Sequence, residues 1–442
     1  MFTKLAVIAL VPAALIAQQP VVVVGDSTRA ISLGDAIRLT KENNFQAISG
    51  NNAIRNTALS IRSNRAQLYP SLTLSAGQSK QGGERFDNVR GQIVPYTAAA
   101  WGYNTGVSAR MTLFDGGKAF ADIRKSRADV VVQEAGLTTT NASLTQQVKT
   151  QYNSILAAQE QIGAGRAQLA AAQAQLEMSI AKVNAGAASV SDSLKSVVQV
   201  GNAQITILTG EQNLRAANAA LTRIVGTPYP VTALTSDTVD IPKLNVDSAT
   251  LVQMAMDGPT VKQQEASLLS ANASERSAKS SYLPTISLTG SETGSGAGAV
   301  YGLNNSTKNP YPYSYNVGVN LSYTVFQGYT RENAIAQAQI SAENAAANIK
   351  DQKLAAQQTI VTQLGALRNA EERIRLQHIS VTASQEDLRV SQQRYSLGAG
   401  TFLDVLNSQS SLISAQQALI QARLDYRNAR AQIEQVIGRD LP

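Results

Sequence analysis

The sequence predicts a mainly α-helical chain in which one structural unit, two amphipathic strands followed by a long helical hairpin, is written twice. Three observations carry this reading. The halves superpose at a constant offset, so that Tyr103, Asn104, Gly106 and Val107 meet Tyr315, Asn316, Gly318 and Val319, while Gly186, Asp192, Leu194 and Gly226 meet Gly398, Asp404, Leu406 and Gly438. Proline is absent from Tyr96 to Thr227 and again from Tyr313 to Leu441, which leaves room for very long helices. A stretch of strict apolar/polar alternation precedes each proline-free run of helix formers. A gapless offset from Tyr103 to Gly226 demands equal strand ends, helix lengths and turns, hence pseudosymmetry within one elongated body rather than a stack of repeats.

At the start, Lys4 and the apolar run from Leu5 to Ala17 have the charged beginning and short hydrophobic core of a secretory signal. The run is too short for a membrane-spanning helix, which needs about 20 apolar residues. The expected order is a signal over 1–17 with the mature start near Gln18, a first repeat over 18–226, an inter-repeat linker over 227–245, and a second repeat over 246–442. The chain has no cysteine, which excludes disulfides and thiolate metal sites. Its 38 basic and 31 acidic residues give a charge of +7, but they are scattered along the helices, which argues against a nucleic-acid surface.

The first strand of each repeat starts from a Tyr and Pro pair: Tyr69-Pro70 leads into Leu72, Leu74 and Ala76, and Tyr282-Leu283-Pro284 leads into Ile286 and Leu288. In the second, Tyr103, Thr105, Val107, Ala109, Met111 and Leu113 interleave with polar residues, as do Tyr315, Val317, Val319, Leu321, Tyr323 and Val325. The loops over 79–102 and 292–314, rich in Gly, Asn, Ser and Tyr, read as mobile. Ala, Gln, Leu and Lys then dominate 118–183 and 331–395, each long enough for a helix of roughly 100 Å. Gly186 and Gly398 mark the turns into second helices over 190–225 and 402–437. Sevenfold spacing of Ala121, Ala128, Ala135 and Ala142, and of Ile340, Ala347, Leu354 and Val361, gives these helices a coiled-coil period.

Alternation over about ten residues with tyrosines near the ends suits strands that face lipid on one side and water on the other. Tyr315, Val317, Val319, Leu321, Tyr323, Val107 and Met111 are the lipid-facing candidates. Four strands per chain cannot close a barrel, and an open edge in hydrocarbon leaves backbone groups unsatisfied at several kcal/mol each. Closure needs further copies: two would give eight strands, three would give twelve with room for an aqueous channel. A soluble sandwich edge fits the alternation as well.

With its Pro-led strands at Pro70 and Pro284, its strand ends Leu113-Phe114-Asp115-Gly116-Gly117 and Val325-Phe326-Gln327-Gly328, and the turn from Tyr395 through Ser396-Leu397-Gly398-Ala399-Gly400-Thr401-Phe402-Leu403-Asp404-Val405 to Leu406, the chain resembles the TolC-like outer membrane efflux protein family. The resemblance implies a homotrimer with a twelve-stranded β-barrel in the outer membrane, continued by a twelve-helix coiled-coil α-barrel in the periplasm. It also implies a transport role without cofactors or metal: an exit duct of tripartite efflux or type I secretion, served by a periplasmic adaptor and an inner-membrane pump of the RND, ABC or MFS type.

The resemblance points to Asp404 as part of a constricting ring at the periplasmic tip, with Asp192 and Asn407 as further gate candidates. Three carboxylates around a threefold axis would repel one another, raise some pKa values and attract cations. Against this stands the S/T-x-x-D spacing of Ser189 with Asp192 and of Thr401 with Asp404, the pattern of a helix capping box. Asn407 and Gly400 replace the acidic and basic residues common in the family, which weakens a closed state held by charge pairing. Gly186, Gly398, Gly400 and Thr401 are the candidates for adaptor docking, with plain helix capping as the alternative; Lys182, Lys195 and Arg394 flank the tips. Enzyme chemistry is not expected: His378 is the sole histidine, sits in a long helix and has no cysteine partner, and the run Gly294-Ser-Gly296-Ala-Gly298 reads as a loop, not a phosphate cradle. A structural or adhesive coiled-coil envelope protein is the competing reading.

Overall fold

The computed structural model describes residues 28–80, 82–97, 102–235, 247–297 and 313–441. The expected signal sequence, its cleavage near Gln18, most of the linker and Gly298 lie outside the described residues. In chain order the elements are β1 (Arg29–Ile31), α1 (Leu33–Asn43), α2 (Phe45–Ala66), β2 (Ser71–Ser79), β3 (Gly82–Asp87), β4 (Gln92–Thr97), β5 (Gly102–Phe114), α3 (Lys118–Asn184), α4 (Val190–Val225), β6 (Val231–Ala233), α5 (Ser248–Met256), α6 (Pro259–Lys279), β7 (Thr285–Ala297), β8 (Tyr313–Ser322), α7 (Thr330–Ser396) and α8 (Phe402–Ile437). Both long helices have 67 residues and both return helices have 36, so the duplication holds to the residue. The chain forms two compact units that cut across the repeats: one takes 1–44, 147–240 and 379–424, the other 45–146, 241–378 and 425–442.

The second unit holds a four-stranded antiparallel sheet in the order β2-β5-β7-β8, the four strands expected from the sequence. Its register keeps each cross-strand row on one face, with Glu292 as the charged exception on the apolar one. Leu74, Val107 and Glu292 lie in one cross-strand row with Tyr315, and Leu72, Ala109, Gly290 and Val317 in the next. On the opposite face stand Ser71, Thr73 and Ser75 of β2, Ser108, Arg110 and Thr112 of β5, Ser287, Thr289, Ser291 and Thr293 of β7, and Ser314, Asn316 and Asn320 of β8. Hydroxyls on this face bond to neighbouring strands, Ser75 Oγ to Gly106 O at 3.3 Å and Thr289 Oγ1 to Gly318 O at 3.3 Å among them. The apolar face is uncovered: Leu72, Leu74, Val317 and Val319 are all exposed. A buried sandwich face is therefore not what this alternation serves.

Three sequence expectations need correction. The segment over 79–102 has a loop's composition, yet it contains the hairpin β3–β4, paired from Gly82↔Thr97 to Asp87↔Gln92. Gly294, Ser295 and Gly296 belong to β7, where they pair with Thr105, Asn104 and Tyr103; glycine and serine carry no hydrophobic signal, but their backbone groups complete the ladder. Conversely, β8 stops at Ser322, so the expected strand positions Tyr323 and Val325 lie beyond it. Both fall in the irregular connection to α7, which the Arg331 guanidinium supports by donating to Thr324 O at 2.5 Å.

Antiparallel to each other, α3 and α6 carry a heptad-spaced polar seam. Asp122 accepts from Ser277 Oγ and Asp129 from Ser270 Oγ, and one heptad further Gly136 faces Gln263. Lys118 and Lys125 pair with the two aspartates one turn later. Burying polar groups in pairs at fixed spacing selects a single register, because a slip leaves them unsatisfied. The core of this unit packs Leu251 and Ala255 of α5 against Ile360, Leu364 and Leu367 of α7 and Tyr426, Ile433 and Ile437 of α8. The heptad of Ile340, Ala347, Leu354 and Val361 is not this seam: all four are exposed, on another face of α7. In the first unit, Ala36, Val148, Tyr152, Ile155, Leu156 and Leu221 form the core, beside the parallel pair β1–β6. Tyr152 hydroxyl ties that pair down, donating to Ile31 O and accepting from Leu234 N, both at 3.1 Å.

At the junction of β5 and α3, Gly116 has φ 72°, and a Cβ there would sit 2.4 Å from Ser280 O. Gly328, its counterpart, has φ 58° but open space around it. Gly116→Ala is expected to cost about 2 kcal/mol or more through strain and clash, Gly328→Ala distinctly less. Comparing the heat resistance of the two purified variants checks this.

Candidate gate at the helical turns

Both hairpin turns lie in the first unit and are built alike. At the end of α3, Ala187 N–H donates to Lys182 O at 2.8 Å and Gly186 N–H to Val183 O at 3.0 Å; at the end of α7, Ala399 N–H donates to Arg394 O at 2.9 Å and Gly398 N–H to Tyr395 O at 3.2 Å. This pair of bonds is the Schellman motif, which needs a left-handed residue, and Gly186 and Gly398 supply it at φ 71° and 74°. Geometry thus accounts for both glycines as helix C-caps. Gly400 sits against its own turn, where a Cβ would lie 3.1 Å from Arg394 Cβ.

The starts of the return helices differ. Thr401 and Asp404 form a reciprocal box: Asp404 Oδ2 accepts from Thr401 N–H at 2.9 Å and Thr401 Oγ1–H at 2.8 Å, while Asp404 N–H donates to Thr401 Oγ1 at 3.3 Å. At the other turn, Ser189 Oγ accepts from Ser191 N–H at 3.2 Å, and the Asp192 side chain does not close a box. Capping therefore belongs to Asp404 more fully than to Asp192. The Thr401 backbone N–H, then its hydroxyl, and more weakly Arg394 hold the Asp404 carboxyl below the usual range. Within the chain this is opposite to the rise expected from a carboxylate ring. Asn407 is exposed one turn on, its carbonyl accepting from Ser411 Oγ at 3.0 Å.

Tyr395 and Lys182 connect the two turns, and sequence reasoning missed this contact. Lys182 Nζ donates to Tyr395 O at 2.6 Å and Ser396 O at 3.3 Å, and lies 4.1 Å from the centre of the Tyr395 ring. A cation at a helix C-terminus meets carbonyls at the negative end of the helix dipole, and the ring face adds its own attraction. Tyr395 is buried with Phe402 and Val405; burial pushes its phenol up, and the half-buried Asp192 carboxylate nearby pushes it further. So the Asp192 charge is felt at the second turn's tyrosine, while Asp404 caps its own helix. Behind the turns, Ser179 pairs with Ser196 and Ser391 with Ser408, each at 3.0 Å and each at a separation of 17. Two serines at that spacing in both repeats were a readable signal. His378 is exposed on α7.

An amphipathic four-stranded sheet with two helical hairpins per chain defines the TolC-like channel fold of outer-membrane proteins. The chain belongs to the outer membrane efflux protein family, whose profile matches residues 37–227 and 251–439. It is similar to Outer membrane protein TolC of Escherichia coli, 25% identical over 261 residues, which are 56% of this chain and 52% of that protein. It is also similar to the solvent efflux pump outer membrane protein SrpC of Pseudomonas putida, 29% identical over 195 residues, 42% of this chain and 38% of that protein. The matched stretches thus span about half or less of these relatives. Among solved structures, the channel protein CusC shares the fold over 93% of this chain and 94% of its own, with a TM-score of 0.76 and 19% identity.

The depressed Asp404 pKa sets the pH response of its cap. Its contribution is present above the unfolded value, about 3.9, and is lost as pH falls through the lower folded value. Protection factors for amide exchange over 402–405, corrected for the intrinsic pH dependence of the rate, should therefore hold between pH 7 and about 5 and fall only below about 4. Asp404→Asn should lower these protection factors above about pH 4 and change them little below it, with 190–193 unaffected.

Proposed function

We propose that this chain assembles as a homotrimer that forms the exit duct of a tripartite efflux or type I secretion system. One observation supports it above the rest: a sheet with an apolar and a hydroxylic face ends in β2 and β8, which have no outer neighbour among the described residues. In a bilayer such edges must be paired, and three copies give twelve strands around a water-filled lumen. Lipid then meets Val107, Met111, Tyr315, Val317, Val319 and Leu321, with Tyr323 just below the strand.

Helix surfaces support the same assembly. On α4, Val190, Leu194, Val197, Ile205 and Leu208 are exposed at coiled-coil spacing, and on α7 so are Ile340, Leu354 and Val361. These stripes fit the flanks of neighbouring copies in a helical barrel. The signal over 1–17, the repeats over 18–226 and 246–442 and the linker over 227–245 belong to the same reading: export, then a duplicated duct wall.

At the periplasmic end, the turns at Gly186, Gly398, Gly400 and Thr401 present themselves to an adaptor, which couples the duct to an inner-membrane pump. The Lys182 link between the turns keeps the closed arrangement; Asp404 and Asn407 line the constriction. The purified trimer should conduct ions in planar bilayers, and Lys182→Ala should raise its conductance several-fold by freeing the second turn. A trimer that never conducts, with or without this substitution, would favour the adhesive envelope reading. Ile205→Glu, placing a charge in the α4 stripe, should abolish heat-sensitive trimer bands on gels while leaving helix content by circular dichroism intact.

A further inference from the structure

The hydroxylic face of the sheet contains one charged side chain among the described residues, Arg110. Its row neighbours across the ladder are Ser71 on β2 and Thr289 on β7. It is exposed, and its guanidinium has no hydrogen bond or ion pair within the described chain; the bond recorded at this residue is from Ser71 Oγ to its backbone oxygen. The sheet's acidic residue, Glu292, does not neutralise it, because it stands on the other face, opposite Val107 and Tyr315. The bulge between Thr112 and Phe114 lies beyond Arg110, so the alternation that assigns its face is undisturbed.

From this placement we propose that Arg110 is a selectivity-determining residue: it makes the β-barrel part of the duct attract anions. The inference rests on the trimeric duct reading, which puts the hydroxylic face around the lumen and three Arg110 side chains at one level. A guanidinium is charged at every physiological pH, so the ring is permanent. Serine, threonine and asparagine walls supply dipoles but no counter-charge, leaving mobile anions from solution to compensate it. The sign is opposite to that of the Asp404 carboxylates at the helical turns. Cargo carrying carboxylate or phosphate groups is the class this ring draws into the barrel.

The test is reversal-potential measurement on the purified trimer in planar bilayers under a salt gradient, for the native chain, Arg110→Lys, Arg110→Ser and Arg110→Glu. Near 0.01 M salt the screening length is about 30 Å, so the ring acts across the lumen, whereas near 1 M it is about 3 Å. Relative to the native chain, Arg110→Ser should lower the anion-to-cation permeability ratio by a factor on the order of 10 at low salt. Arg110→Glu should lower it further, Arg110→Lys should keep the native value, and all four should converge at high salt. Conducting trimers with the same low-salt ratio in all four forms would overturn the assignment of Arg110 alone. Trimers that pass no ions in any form would overturn the duct reading and this assignment with it.

Discussion

Everything in this fold answers to the unpaired backbone at the margins of a four-stranded sheet. Hydrocarbon offers no hydrogen bonds, so a strand edge there is unstable until another strand covers it. Among the described residues β2 and β8 have no outer neighbour, so the sheet is open at both margins. The same incompleteness recurs in the helices, where the stripes on α4 and α7 are apolar, regular and uncovered. Under the proposed trimer, sheet and helices take the same kind of neighbour, another copy of the chain.

Within the chain, specificity comes from small polar contacts rather than large apolar ones. The Asp122–Ser277 and Asp129–Ser270 pairs hold α3 against α6, and the serine pairs hold each hairpin near its turn. Alanine-rich helices pack closely but slide easily, since their surfaces are smooth. Paired hydroxyls and carboxylates at heptad or 17-residue spacing remove that freedom, because every other register strands a polar group. The two hairpins then diverge where function is expected: the second turn has the closed capping box and the buried Tyr395, and the first provides the lysine that reaches across.

The limits of the long helices and the four strands of the main sheet were legible because they depend on local chemistry: helix formers without proline, glycine at left-handed turns, and alternation. Both return helices begin and end at the residues expected, 190–225 and 402–437. What could not be read depended on pairing across the chain. The upper part of β7 looks like a glycine loop until Gly102–Gly106 supplies its ladder partners. The exposed heptad on α7 was visible as a period, but periodicity does not say which of several apolar faces a chain covers by itself. For the gate, Asp404 was identified by type while its partner choice was not; Lys182 passed as a solvated lysine because its acceptors are backbone carbonyls more than 200 positions away.

The hydroxyls of the sheet carry a consequence for passage. Ser71, Ser75, Thr285 and Thr289 each turn their proton inward to a carbonyl of the adjacent strand. In the proposed duct these four positions show a passing solute lone pairs rather than protons, so its N–H and O–H groups are held there briefly, while its acceptors find their donor at Arg110, in the row of Ser71 and Thr289.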